Sequence, residues 1–371
     1  MADSRKKSDS ESETEMELEL ESSDSGSSSS SVPTPSSDSE HNDPSRRYMG
    51  DLPPGSTVEN GRYEITKRIG KGYFSTVYLA DDTFARRRVA LKISKGGGSF
   101  LEAAQEEVKF LQKIGDHPNI LRLFDFVFVK DAKSQVSHPC MVVECMWKDL
   151  FRVQQDFYEN GLPGPLLKHV MMQILRAVDY MHNQGILHTD IKPENFLVSN
   201  EDCAVVKMAD FGNACLVNKP YSSTIQTRHY RCPEVFLGCG YGTAADMFSC
   251  GVMFFELATG ELPFEAHRQS NVYRQNEKQL QLMFRALGPF PRHMVKQGKF
   301  SHHYFNRRCE FLHESHAKPP RTLPHLLRAA HVSKSITGPF SHLLENLLQI
   351  DPQRRWTASQ ALEFVAGMKM E

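Results

Sequence analysis

His188-Thr189-Asp190-Ile191-Lys192-Pro193-Glu194-Asn195 is followed, fifteen residues on, by Asp210-Phe211-Gly212. The stretch sets a carboxylate, an ammonium, a carboxamide and a second carboxylate in fixed order. A carboxylate can accept or orient the proton of an attacking hydroxyl, and an ammonium can offset charge on a transferring phosphoryl group. Asn and Asp oxygens are hard donors suited to Mg²⁺. Phosphoryl transfer asks little covalent work of a protein, so positioning and cation placement supply most of the catalysis. Either fragment alone can arise by accident in 371 residues; both, in this order and at this spacing, do not.

The order resembles the catalytic and metal loops of protein kinases. That resemblance implies Asp190 as the residue that takes or orients the hydroxyl proton, Lys192 as the charge-offsetting cation, and Asn195 and Asp210 as ligands of Mg²⁺ bound with ATP. The rest of the chain reads as the elements this loop requires. Tyr63–Ile69 alternates as a strand and runs into Gly70-Lys71-Gly72-Tyr73-Phe74-Ser75-Thr76-Val77. Gly70 and Gly72 let backbone approach phosphate oxygens, with Ser75 where a third glycine is usual. The strand Arg88-Val89-Ala90-Leu91-Lys92-Ile93 resembles the one whose lysine holds the α- and β-phosphates. Phe100–Ile114 has Leu101, Ala104, Val108 and Leu111 on one helical face. Its Glu107, in preference to Glu106, is the expected partner of Lys92.

Leu121–Val129 and Met141–Glu144 are apolar runs of strand length that close a five-stranded antiparallel sheet, with Pro139 just before the second. Glu144-Cys145-Met146 follows as the hinge whose backbone meets adenine, preceded by a small gatekeeper, Val143. Ile69, Val77, Ala90 and Leu197 complete the expected apolar lining for a flat base. Beyond the hinge, Leu166–His182 is periodic as a helix and Gly185 is placed to end it. Val205–Ala209 is the short strand leading into Asp210. Glu234 is the expected partner of Arg355 in a buried ion pair. Asp246 opens an apolar helix running to Ala258 and is placed to tie down the backbone of the catalytic loop.

From about Tyr63 to the C-terminus the chain resembles the SR-protein kinases of the CMGC group. The most specific pieces are His188-Thr189-Asp190, Asp210-Phe211-Gly212-Asn213-Ala214-Cys215 and Ile225-Gln226-Thr227-Arg228; Phe74-Ser75-Thr76-Val77 and Glu256-Leu257-Ala258-Thr259-Gly260 agree. The LAMMER kinases, which share the His-Thr-Asp loop, are the second choice. The resemblance implies a serine/threonine kinase acting on arginine/serine-rich splicing factors. It also implies independence of activation-loop phosphorylation, because Thr189 replaces the arginine that in many kinases captures a phosphate. Three features depart from the family. Only Ser199–Ala204 separates the catalytic loop from the next strand. Pro233-Glu234 stands where Leu-Glu is usual. Glu265–Leu287 is poor in the acids that dock basic substrates, with Arg285 in place of one. An inactive scaffold of the same fold normally has one of Lys92, Glu107, Asp190, Lys192, Asn195 or Asp210 replaced; here all six are present.

Composition sets the remaining bounds. Residues 1–43 carry 12 acidic and 3 basic side chains, leaving 33 acidic and 41 basic on residues 44–371, a net of +8. Residues 1–60 are Ser-, Asp-, Glu-, Pro- and Gly-rich and read as a disordered acidic tail. The domain is expected over 61–371, with an N-lobe at 61–143, a hinge at 144–147 and a C-lobe at 148–371, an α+β bilobal kinase-like fold with ATP·Mg²⁺ between the lobes. No apolar run approaches a bilayer span. The eight cysteines form no CxxC pair, in keeping with a reducing cytoplasm or nucleus. Cys309, His313 and His316 lack a fourth partner at zinc spacing. Basic residues are spread rather than striped with aromatics, which speaks against nucleic-acid binding. A monomer that binds ATP and a protein substrate is expected.

Overall fold

The structure, a computed structural model, describes residues 50–131, 135–220, 222–266, 269, 271–313 and 321–370. The acidic tail as far as position 49 lies outside these residues, as do His267, Arg268, Ser270 and His316. The chain forms two compact units. One takes in the described residues to Val108 together with Leu123–Cys145; the other comprises Lys109–Arg122 and the chain from Met146.

The first unit is an antiparallel sheet of six strands rather than five: β1 (Thr57–Val58), β2 (Tyr63–Lys71), β3 (Ser75–Asp82), β4 (Arg87–Ser94), β5 (Leu123–Lys130) and β6 (Ser137–Glu144). Their order is β1-β2-β3-β4-β6-β5. The added strand corrects the expected tail boundary. Thr57 pairs with Glu64 and Val58 with Tyr63, the Gly50 amide donates to Asp131, and Leu52 packs on the core. Two residues of strand carry no readable alternation, so composition concealed them. β6 also begins earlier than expected and contains Pro139. Cys140 is the last of its residues paired with β4, so Pro139 has a strand neighbour on one side only, where its missing N–H costs least.

Register divides this sheet into two faces. Tyr78, Leu91 and Val142 align across β3, β4 and β6, and with Tyr63, Ile65, Val89 and Ile93 they form the core. On the other face Val77 pairs with Lys92 and Ala90 with Val143, so period-two alternation gathers four of the expected site residues. The helix α1 (Gly98–Ile114) buries Ala104, Val108, Leu111 and Ile114 at steps of three and four.

The second unit is mostly helical, with α2 (Leu150–Phe157), α3 (Gly164–Asn183), α4 (Pro233–Leu237), α5 (Thr243–Thr259), α6 (Val272–Leu287), α7 (Arg292–Gln297), α8 (Leu323–Ala329), α9 (Lys334–Leu347) and α10 (Ala358–Gly367). Short strands β7 (Lys148–Asp149), β9 (Phe196–Val198) and β10 (Val206–Met208) form one small sheet; β8 (Ile186–Leu187) and β11 (Cys215–Leu216) form another. Residues 109–122 belong here and not with the expected N-lobe. Asn119 and Leu121 exchange backbone hydrogen bonds with Met208, and Tyr180 and Gln184 donate to the Ile114 carbonyl. Helix α5 is buried on nearly every side, as its apolar sequence demands. Glu234 and Arg355 form the expected buried pair, with both oxygens engaged at 2.7 and 3.0 Å.

Candidate active site

Helix α5 presents Asp246, fully buried, to the loop after β8. Its carboxylate accepts from the amides of His188 and Thr189 and from His182 Nε2, each at 2.9 Å. Burial alone would raise the pKa of this group. The hydrogen bond and charge of His182, with the charge of His188, outweigh burial and hold the carboxyl below its ordinary value. The buried anion thus grips the loop by its backbone. Thr189 lies at φ 67°, a conformation costly for a β-branched residue, and its hydroxyl donates to the Asn213 carbonyl. His188 Nε2 reaches the Ala209 carbonyl at 3.0 Å and its ring packs on Phe211. The catalytic and metal loops are therefore stitched together on both sides of Asp210.

Asp190, 8% exposed, receives Lys192 Nζ on Oδ2 at 3.0 Å. Its Oδ1 accepts from the Thr227 hydroxyl at 2.7 Å and from the Thr227 amide at 3.1 Å. Lys192 also donates to Thr227 Oγ1 at 2.9 Å, which closes a three-membered ring of hydrogen bonds. Burial works to lower the pKa of Lys192, but the charges of Asp190 and Glu194 outweigh it, so the ammonium persists. The sequence placed Thr227 only within a family motif; its grip on Asp190 becomes visible in the fold.

Asn195 is the second buried member. Its Nδ2 donates to the Asp190 carbonyl at 2.7 Å and to Oδ2 at 3.2 Å, which leaves the carboxamide oxygen as its donor to a cation. Its own carbonyl accepts from the Ala209 amide at 2.8 Å. Asp210, exposed and at φ 61°, follows directly. No trio of His, Cys, Asp or Glu able to hold a metal occurs among the described residues. One carboxamide oxygen and one carboxylate fit instead a hard cation that takes its remaining ligands from phosphates and water. His313 donates its amide to Glu277 at 2.9 Å, and its Nδ1 stands 2.6 Å from the same carboxylate.

In the first unit, Lys92 Nζ meets both oxygens of Glu107 at 2.9 Å. The β2–β3 turn is closed by the Gly72 amide donating to the Ser75 carbonyl at 2.9 Å, while Ile69 is exposed and Gly70 abuts Val77. Val143 and Ala90 are each 7% exposed; Glu144 in this unit, and Met146 and Leu197 in the other, are half-buried.

Helix α6 resolves the departure noted over Glu265–Leu287. Gln275, Asn276, Glu277, Gln279 and Gln281 are buried. Gln279 donates to the Arg228 carbonyl, Asn276 to the Tyr304 hydroxyl and Gln281 to the His313 carbonyl. These polar residues are internal struts, and Glu277 is not available as a docking acid. A different acid was missed by sequence reasoning. Glu256 is 7% exposed and accepts from the Tyr230 hydroxyl at 2.6 Å. Burial pushes its carboxyl up to about 8 against that hydrogen bond, and the charges of Glu194 and Glu265 add to the rise.

The sequence matches the protein kinase domain family over residues 63–365. It is 32% identical over 368 residues to the serine/threonine-protein kinase SRPK of Physarum polycephalum, covering 82% of this chain and 86% of that one. It is 26% identical over 457 residues to protein kinase dsk1 of Schizosaccharomyces pombe, covering 86% and 83%. Against dual specificity protein kinase CLK2 of Homo sapiens it is 30% identical over 345 residues, covering 84% and 65%. A phosphoryl-transfer loop gripped by Asp246, a Lys92–Glu107 pair and these likenesses agree: the chain is an ATP-dependent serine/threonine protein kinase and belongs to the SR-protein kinase family of the CMGC group.

Proposed function

We propose that this kinase transfers phosphoryl groups to serines lying in arginine-rich segments of protein substrates, the class to which splicing factors with arginine/serine repeats belong. Asp190 orients the serine hydroxyl and takes its proton, Lys192 stands over the transferring group, and Thr227 holds both in register. Asn195 and Asp210 hold Mg²⁺, whose charge offsets that of the phosphates. Lys92, fixed by Glu107, holds the α- and β-phosphates beneath the Gly70–Gly72 turn. We assign nucleotide binding to Ile69, Ser75, Val77, Ala90, Val143 and Glu144 of the first unit and, separately, to Met146 and Leu197 of the second.

One observation carries the substrate class. Glu194, Glu256 and Glu265 lie close enough for their charges to raise the pKa of Glu256, next to the loop of Asp190. The exposed Glu194 and Glu265 carboxylates attract a cation, and an arriving guanidinium offsets the cost of ionising the buried, protonated Glu256. This supplies acid at the catalytic loop although helix α6 supplies little. We further read the kinase domain as beginning near Gly50, preceded by an acidic tail, and acting as a monomer in the cytoplasm or nucleus. No helix among the described residues is long and apolar enough to cross a membrane.

A peptide array phosphorylated by the purified protein with ATP and Mg²⁺, beside Asp210→Ala, tests the reading. Serines flanked by arginine should be preferred, and the variant should be inactive. Strong labelling of neutral or acidic peptides instead would discard the substrate class and keep the kinase.

A further inference from the structure

Trp147 and Phe157 are 43% and 46% exposed, and they face each other with ring centroids 5.8 Å apart. Large aromatic side chains left in water next to one another are costly unless something covers them. Their placement is fixed. The Trp147 amide donates to the Val198 carbonyl at the end of β9, β7 pairs with β9, and Phe157 ends helix α2 beside Tyr158. The rings already receive a cation. Lys148 Nζ sits 4.6 Å from the Trp147 centroid and 5.2 Å from that of Phe157, and is held at 2.8 Å by Asp156.

The charges around the rings run against the rest of the domain. Glu201 and Asp202, both exposed, occupy the turn that follows β9. The Trp147 amide bonds to Val198, three residues before Glu201, which sets this turn beside the rings; after burial, the charges of Asp202, Cys203 and Glu201 also push the Tyr158 phenol upward. Asp156 adds a third acid, and Glu159 follows Tyr158 on the exposed surface. A domain carrying +8 overall thus sets acids beside solvent-exposed aromatic rings.

We propose that Trp147, Phe157 and Tyr158, with Asp156, Glu201 and Asp202, form a docking surface for an arginine-rich segment of the protein substrate, outside the catalytic loop. Planar guanidinium groups stack on aromatic faces and pair with carboxylates in one geometry, a combination that a lysine-rich or acidic segment reproduces poorly. The surface takes over the role that helix α6, with its buried polar residues, does not fill. This inference rests on the reading that the substrate is arginine-rich.

The chain has two tryptophans, and the other, Trp356, packs against His342 and Phe364. In a Trp356→Phe background, emission therefore reports on Trp147 alone. An (Arg-Ser)8 peptide should change that emission saturably, while a (Glu-Ser)8 peptide should not. In turnover, the Trp147→Ala/Phe157→Ala variant should raise KM for (Arg-Ser)8 at least tenfold with kcat within twofold. A short peptide with one serine and one neighbouring arginine should be unaffected. Glu201→Gln/Asp202→Asn should raise the same KM at least threefold, and keeps the test available should the aromatic variant fail to fold. Unchanged KM for (Arg-Ser)8 in folded variants, or no saturable emission change, overturns the docking surface. So does sedimentation showing that wild type self-associates through these rings and the aromatic variant does not. If no arginine-flanked serine is phosphorylated, the substrate reading itself has failed. The emission titration then decides on the surface alone, because it needs no turnover.

Discussion

Thr189 spends its hydroxyl on the carbonyl of Asn213 while its own backbone stands at φ 67°. The residue ahead of Asp190 thus acts as a neutral tether between two loops, with no charge to offer a phosphate. Ser222 and Thr224 meanwhile bond to each other, Oγ of the first donating to the carbonyl of the second at 2.8 Å. Replacing Ser222, Ser223 and Thr224 together by Ala should leave kcat within about twofold in phosphatase-treated protein. Loss of activity in that triple variant would show that a loop phosphate is needed after all.

Thr227 is held between Asp190 and Lys192. Thr227→Val removes one hydrogen bond to an anion and one from a cation while preserving shape. With the direct Lys192–Asp190 pair left in place, a net loss of about 2 kcal/mol for the two bonds corresponds to a roughly 30-fold fall in kcat. Thr227→Ser should restore most of it, and both variants should melt within a few degrees of wild type. Full activity in the Val variant with loss in the Ser variant would mean that the methyl group, not the hydroxyl, matters.

Glu256 predicts a pH dependence of stability. Its folded pKa, about 8, lies above the ordinary 4.5, so between these values the folded state holds a proton that the unfolded state has released. Its contribution is complete below about pH 4.5 and is lost as pH rises through 8. Glu256→Gln removes this titration. The variant's melting temperature should therefore gain on that of wild type progressively from pH 5 to 9, as read by thermal melts across that range. A constant difference would place the Glu256 carboxyl at its ordinary pKa.

Arg355 and Glu234 are 0% and 1% exposed and meet through two parallel hydrogen bonds. Truncating either partner leaves a buried charge alone and should cost about 3–5 kcal/mol in denaturant unfolding. The double variant Glu234→Ala/Arg355→Ala should cost clearly less than the sum of the two. Additivity would show that each charge is satisfied without the other, for instance Arg355 by the Gln349 and Ala244 carbonyls it also reaches.

Much of the arrangement around Asp190 was legible in the sequence because its residues are close together along the chain. Asp190, Lys192 and Asn195 fall within one loop, and the choice of Glu107 over Glu106 matches the ion pair in the fold. What stayed hidden depends on partners distant in sequence. The Thr227–Asp190 bond spans 37 positions and the Tyr230–Glu256 bond 26. Helix α6 misled for a different reason. Its Gln and Asn residues look like a solvated face, yet they are buried because backbone carbonyls and a tyrosine hydroxyl wait for them. Pro139 read as a strand boundary because sequence does not show that β6 has only one neighbour at that point.

The strand Thr57–Val58 covers the Tyr63–Glu64 end of the outer edge of β2. Cutting the chain at position 60, where the acidic composition fades, would strip that cover and lengthen the stretch of β2 whose N–H and C=O groups can template another chain. Protein cut there would tend to associate edge to edge, and its lost activity would mimic a requirement for the tail. Cutting before Gly50 keeps β1 in place and isolates what the tail itself does.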